Sequence, residues 1–252
     1  MKGHAAIDLN GRRHTFQYWN DFESEVDTNE LTVTADSTGT AAVGSGEWGI
    51  IPLTTAATNN DGVVIETPNE FLTFTADKPW VACFLVSFAD PTSASEANVA
   101  IGVCNAPATG VLVNDGGGFL STITSAAVLY KTDGNAYWKC TAGASAATQA
   151  ANVKTSNVPA ASGITGVNLG WQWCEIHWTP VSSTLGYVEF RVNDRALHDT
   201  AVEGQPRIRI PVVIGAAATM AMFACVKAGT AAVQVLNVDL WGIQGRRNRP
   251  TG

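Results

Sequence analysis

Residues 185–200 read LGYVEFRVNDRALHDT, and the alternation within them decides the fold class. Val188, Phe190 and Val192 fall on one side and Glu189, Arg191 and Asn193 on the other, the period-two pattern of a strand with one wet face. The Asn193-Asp194 pair that follows is turn chemistry, so the spacing predicts a hairpin into a second short strand. The question is whether that hairpin belongs to a site or to a shell.

Working outward, the same kind of signal dominates the chain. Short runs of Val, Ile, Thr, Phe, Tyr and Trp predict strands at 30–35, 62–67, 71–76, 79–88, 98–104, 126–131, 136–140, 170–178, 187–192, 207–215, 222–228 and 233–243. No stretch holds a three-to-four residue apolar period over four turns, so long helices are not expected. In 79–88, Trp80, Phe84 and Phe88 alternate with Val81, Cys83 and Leu85, which makes both faces apolar and places that strand mid-sheet. In 30–35, Leu31 and Val33 are expected inward and Thr32 and Thr34 outward. Together these predict an all-β chain of two antiparallel sheets packed face to face. The stretches 54–62, 89–97, 106–119 and 142–166 are polar or Gly- and Ala-rich connections, the last with a candidate short helix at ASAATQAAN.

At 252 residues and 26.5 kDa the chain is long enough for one sizeable β domain. We expect an N-terminal arm over 1–20, a single sandwich over 21–243 and a basic tail over 244–252. Only 15% of residues are charged, against roughly 25% in ordinary domains, which suits surfaces covered by the chain itself or by partners. A net charge of -7 gives no general attraction to nucleic acid. Two basic clusters stand apart, Arg12 and Arg13 near the start and Arg246, Arg247 and Arg249 near the end. They read either as solvated ends or as arms docking on an acidic partner.

The five cysteines form no CxxC pair and have no His at metal-ligand spacing, so they are expected to be reduced. No signal-peptide pattern is apparent at the start, and the apolar run PVVIGAAATMAMFACV is too short and Ala-rich for a bilayer span, so folding in a cytoplasm without membrane contact is expected.

The stretch that carries most chemistry is GWQWCEIHW, residues 170–178. Trp171, Trp173, Glu175 and His177 share one face, a set that fits a sugar platform beside an acid and an imidazole. A retaining glycosidase needs a second carboxyl group about 5 Å away, and this strand supplies none after Glu175. The plain reading is Trp rings partly in the core with Glu175 and His177 paired at its rim, and two candidate ligands without a third are weak grounds for a metal. The acidic run DFESEVDTNE at 21–30 lacks the glycine and terminal acid of an EF-hand and reads as a solvated turn. No nucleophile elbow or phosphate-cradling loop is present, so neither an enzyme nor a cofactor is expected.

Three segments, GVVIETPNEF (62–71), LTFTADKPWVACFLVSF (72–88) and WCEIHWTPVSSTLGYVEFRVNDRAL (173–197), together resemble the concanavalin A-like jelly-roll sandwich. Where that family has an Asp-Gly turn this chain has Asp194-Arg195, which disfavours a tight mirror-image turn. More narrowly, AAVLYKTDGNAYWKC (126–140) and VLNVDLWGIQGRR (235–247) are similar to jelly-roll proteins of tailed-bacteriophage heads. That resemblance implies a capsid decoration or cement protein, a structural virion protein bound outside the major capsid protein lattice, commonly as a trimer. Arg12, Arg13, Trp19, Trp48, Arg246, Arg247 and Arg249 would then be its partner-binding residues. The alternatives are a carbohydrate-binding module or adhesin using Trp171, Trp173, Glu175 and His177, and behind it a glycoside hydrolase.

Overall fold

The computed structural model describes residues 15–22, 31–41, 49–89, 97–120, 122–160, 170–215 and 218–246. In chain order the strands are β1 (Thr15–Asn20), β2 (Thr32–Ala35), β3 (Thr40–Ala41), β4 (Ile51–Thr54), β5 (Gly62–Glu66), β6 (Trp80–Ala89), β7 (Ala97–Cys104), β8 (Leu112–Val113) and β9 (Gly118–Phe119). They continue with β10 (Ala126–Lys131), β11 (Tyr137–Gly143), β12 (Lys154–Pro159), β13 (Gln172–Pro180), β14 (Leu185–Val192), β15 (Arg195–Ala196), β16 (Arg209–Val213), β17 (Ala221–Ala228) and β18 (Val235–Arg246). The described helix, α1 (Ala146–Ala151), falls where the Ala-rich stretch predicts one. A reciprocal capping box holds its start: Ser145 Oγ accepts from Thr148 N, and Thr148 Oγ1 accepts from Ser145 N.

Two antiparallel sheets face each other, as the alternation predicts, and they form the jelly-roll sandwich that the resemblance implies. The nine-stranded sheet runs β15-β14-β13-β6-β18-β4-β3, with β1 added to β18 and β16 to β14; the seven-stranded sheet runs β12-β11-β10-β7-β17-β5-β2. Between them, period-two alternation sends Phe84, Ile176, Phe190 and Trp241 inward from one sheet, and Ile101, Leu129, Trp138 and Met222 from the other. A second apolar cluster covers the outer face of the seven-stranded sheet. There Val111, Leu112 and Ile123, from the segment around the β8–β9 hairpin, pack on Ala100, Val128, Tyr130 and Phe223. This extra layer explains why β7, β10 and β17 are buried on both faces.

Several expectations need correction. Residues 71–76 do not form a strand: Leu72 makes an isolated bridge to Met220, and Phe74 is buried against Trp80 and Trp178. The carbonyls of Thr73 and Thr75 accept from the two indole Nε1 groups instead of joining a ladder, so this run seals one end of the core. Val33 pairs with the core residue Ile65 and so takes the inward side as expected, with Thr34 opposite the outward Val64, but it remains 40% exposed because β2 is the outermost strand of its sheet. Residues 154–159, expected as loop, form β12 on the opposite edge. The last six residues of the expected arm form β1, and β18 runs on to Arg246 opposite Thr15.

The opening hairpin forms on Asn193-Asp194, not on Asp194-Arg195. Both turn residues have positive φ, 49° and 63°, which Asn and Asp tolerate best among residues with a Cβ. Leu197 N then bonds Phe190 O, and β15 returns along β14.

Candidate functional site

β13 is divided by its own period. Cys174, Ile176 and Trp178 enter the core, and Trp173, Glu175 and His177 stand on the outer face of the nine-stranded sheet. Register then fixes what stands beside them. One row reads Arg191, Glu175, Cys83, Gly242, Trp19 across five strands, and the next reads Arg209, Glu189, His177, Val81, Gln244.

Within those rows the polar groups are tightly coupled. Trp173 Nε1 donates to Glu175 Oε1 at 2.9 Å, and His177 Nε2 lies 2.8 Å from Glu175 Oε2. The His177 hydrogen bond holds the Glu175 carboxyl below the usual glutamate range; burial opposes it, while Trp173 and the facing Arg191 add to it. An ionised carboxylate only accepts, so His177 Nε2 carries the shared hydrogen. Glu175 is only 7% exposed, and these partners supply the compensation that a buried charge needs. Arg191 Nε is buried and has no hydrogen-bond acceptor among the described residues.

Next to this pair, Glu189 receives Arg207 Nη2 at 3.0 Å and faces Arg209 Nε at 3.7 Å, and the Arg209 guanidinium lies 4.0 Å over the Tyr187 ring. On the other flank the face is apolar. Val81 and Leu85 are half-buried there, and the Trp19 indole covers Gly242: a Cβ on that glycine would meet Trp19 Cε3 at 2.1 Å. Trp171, 38% exposed, stands at the rim just before β13. Its neighbour Gln172 turns inward, accepting from Trp138 Nε1 and donating to Pro159 O, and so ties this strand to the other sheet.

The four glycan-face residues named from the sequence are therefore brought onto one face and rim, and Glu175 is paired with His177 as the plain reading has it. The Trp rings do not enter the core, as that reading expects; the core indole of β13 is Trp178. Trp19, expected as a partner anchor, belongs to the same outer face. Arg12, Arg13, Trp48, Arg247, Arg249 and most of the acidic run at 21–30 lie outside the described residues; Arg246 ends β18. Sequence reasoning missed Cys83, Arg191, Glu189 and Gly242 as neighbours of Glu175, because adjacency across strands needs a register that one strand's alternation does not contain.

The missing second carboxylate lies on the adjacent strand. Glu189 is diagonal to Glu175, a separation of about 7–8 Å between backbones in such a pair. Both are ion-paired or hydrogen-bonded, and the Glu175 pKa moves away from that of a general acid, which must hold its proton near neutrality. Among the described residues no cluster of three His, Cys, Asp or Glu side chains could hold a metal.

No family model matches the chain, and no curated protein matches it. Solved structures do. An endo-1,3-beta-glucanase from Streptomyces sioyaensis superposes with a TM-score of 0.60 at 13% identity, covering 94% of this chain and 98% of that one. Lectin I from Ulex europaeus gives 0.56 at 13% identity over 92% and 98%, and peanut lectin 0.52 at 13% over 92% and 97%. At such identities the likeness concerns the fold: this chain has the concanavalin A-like jelly-roll sandwich that the lectins and the glucanase share.

Proposed function

We propose that the protein recognises a saccharide on the outer face of the nine-stranded sheet and does not cleave it. The observation that carries this reading is the Trp173–Glu175–His177 cluster, fixed by two hydrogen bonds below 3 Å and continued across the sheet to the Trp19 ring. Sugars present apolar C–H faces and hydroxyl edges, so they suit aromatic rings beside preorganised polar groups. That the similar structures include lectins and a glucanase supports the reading. The lowered pKa of Glu175 favours binding over acid catalysis. A glycan array of wild type and Trp173→Ala tests it: hits that vanish in the variant support the reading, and an array without hits overturns it. Turnover of any bound glycan by the wild type would instead reinstate a hydrolase.

A second reading, a capsid decoration protein bound as a trimer to the major capsid protein on the virion surface, draws on the phage-head resemblance and one structural feature. Val213, 64% exposed on edge strand β16, stands beside the half-buried Leu185 with which it pairs, and Val181, 53% exposed, lies at the same corner. An apolar corner on a sheet edge suits a subunit contact. Incubation with empty capsids decides this case, since absence of both binding and added heat resistance of the shell would remove it.

A further inference from the structure

We infer that the saccharide taken by this face is acidic, carrying carboxylate or sulfate groups that dock on Arg191 and Arg209. The inference rests on the saccharide reading above and narrows it. In residues 14–245 the arginines are Arg191, Arg195, Arg207 and Arg209, and all four lie on β14, β15, β16 or the segment leading into β16. A chain of net charge -7 has thus gathered the arginines of this span at one end of the sheet, and three of them, Arg191, Arg207 and Arg209, stand on its outer face, whereas Arg195 pairs with the inward-facing Val192.

The charges facing them do not cancel them. Glu189 is shared by Arg207 and Arg209, and the two oxygens of Glu175 are taken by Trp173 and His177. Asp199 is engaged by Lys154, and Asp194 and Glu203 are exposed in the turn and loop that flank the strands. On the face itself three guanidiniums, from Arg191, Arg207 and Arg209, stand against the two carboxylates of Glu175 and Glu189. Arg191 Nε–H, buried without an acceptor, leaves a donor whose loss of water is not compensated within the protein. A ligand oxyanion would satisfy it. Guanidinium is suited to this because its planar fork pairs with carboxylate or sulfate through two parallel bonds.

Arg209 is presented for the same purpose. Stacking on Tyr187 holds its guanidinium over the sheet while its side chain remains about half exposed, so it can pair with ligand without leaving Glu189. A sugar ring seated toward Trp173 and Trp19 would therefore turn its charged substituent toward β14 and β16. Uncharged sugars use the rings but leave Arg191 Nε unsatisfied.

The test compares one backbone at three charge states: dextran, carboxymethyl dextran and dextran sulfate, titrated calorimetrically against the full chain, with poly-glutamate as a non-saccharide polyanion. We expect the two acidic dextrans to bind at least tenfold more tightly than dextran, with affinity falling as salt rises. Arg191→Met should cost at least tenfold. Arg191→Lys, which keeps the charge but loses the fork, should cost a few-fold, and circular dichroism checks that each variant is folded. Arg209→Met, at an exposed position, gives an independent loss should Arg191→Met not fold. Equal binding of neutral and acidic dextrans overturns the inference and leaves the saccharide reading standing. Binding of none of the dextrans, together with an empty array, overturns both. Poly-glutamate binding as tightly as dextran sulfate, with the same arginine dependence, assigns the face to an acidic peptide and also overturns it.

Discussion

Trp19 and Gly242 are direct partners across β1 and β18, and the indole occupies the space that any side chain at position 242 would need. A similar covering occurs inside the sandwich between diagonal neighbours, where Trp178 lies over Gly186 on β14 and a Cβ there would sit 2.1 Å from Cη2. One pair faces outward and the other is core, so a single kind of substitution separates the proposed binding face from the scaffold.

Gly186→Ala should be the more damaging for stability. Trp178 is buried and held by its Nε1 bond to Thr75 O, so it has nowhere to move, and overpacking of this kind costs about 1–3 kcal/mol. Gly242→Ala pushes an indole that borders solvent, so its cost should be below about 1 kcal/mol, while saccharide binding falls. Urea denaturation gives the first quantity and calorimetry with an array hit the second; equal stability losses would show that Trp19 is as confined as Trp178.

The pH dependence follows from Glu175. Its folded-state pKa lies below the unfolded value of about 4.3, so its contribution is fully present above that pH and is lost as pH falls through the folded value. Glu66 and Asp239 move upward, through burial first and then through Glu70 and Asp21 respectively, so their contribution favours acid and is lost as pH rises through their folded values. Subtracting Glu175→Gln from wild type cancels both. The variant should be about 1–3 kcal/mol less stable at neutral pH, with the gap closing well below pH of about 4. A gap independent of pH would mean that charge plays no part in the pair.

The fold was legible because alternation is a local property. The two-faced apolar run at 79–88 became central β6, and 126–131 became β10 with the same bounds. Phe71 to Ala76 misled because its composition is that of a strand, while its carbonyls are claimed by the nearby indole of Trp80 and by that of Trp178, distant in sequence, a demand that overrides propensity. The site was half legible for the same reason: Trp173, Glu175 and His177 share one strand, whereas Arg191, Cys83 and Trp19 reach them only through registers set by four strand pairings.

Asn193 links the hairpin to that site. Its N–H donates to Trp173 O at 2.7 Å and its Oδ1 accepts from Trp173 N at 2.8 Å, so the turn residue extends the pairing of β13 past the end of the ladder. Asn193→Ala places an ordinary side chain at φ 49°, costing about 1–2 kcal/mol, and removes the Oδ1 bond, about 0.5–1.5 kcal/mol more. Asn193→Gly removes the bond alone and should cost less. Thermal unfolding ranks them, and an Ala variant no worse than Gly would mean that the backbone there relaxes freely.

Cysteine accessibility reports on the covering of the face. All five thiols are free and buried; burial raises the pKa of each, to about 12 for Cys225 and further for the others. The folded protein should therefore resist a maleimide and take up five labels in denaturant, counted by intact mass. Cys140 and Cys174 lie in the core between the sheets and Cys104 and Cys225 under the segment around the β8–β9 hairpin, whereas Cys83 faces outward from the nine-stranded sheet between Glu175 and Gly242 and is nevertheless 1% exposed. Trp19, next in the same row beyond Gly242, is the ring positioned to cover it. Gly242→Val should displace that ring and make Cys83 the first thiol to label, identified by peptide mapping. A variant that labels first at Cys174, which lies in the core, would instead have lost the sandwich rather than its cover.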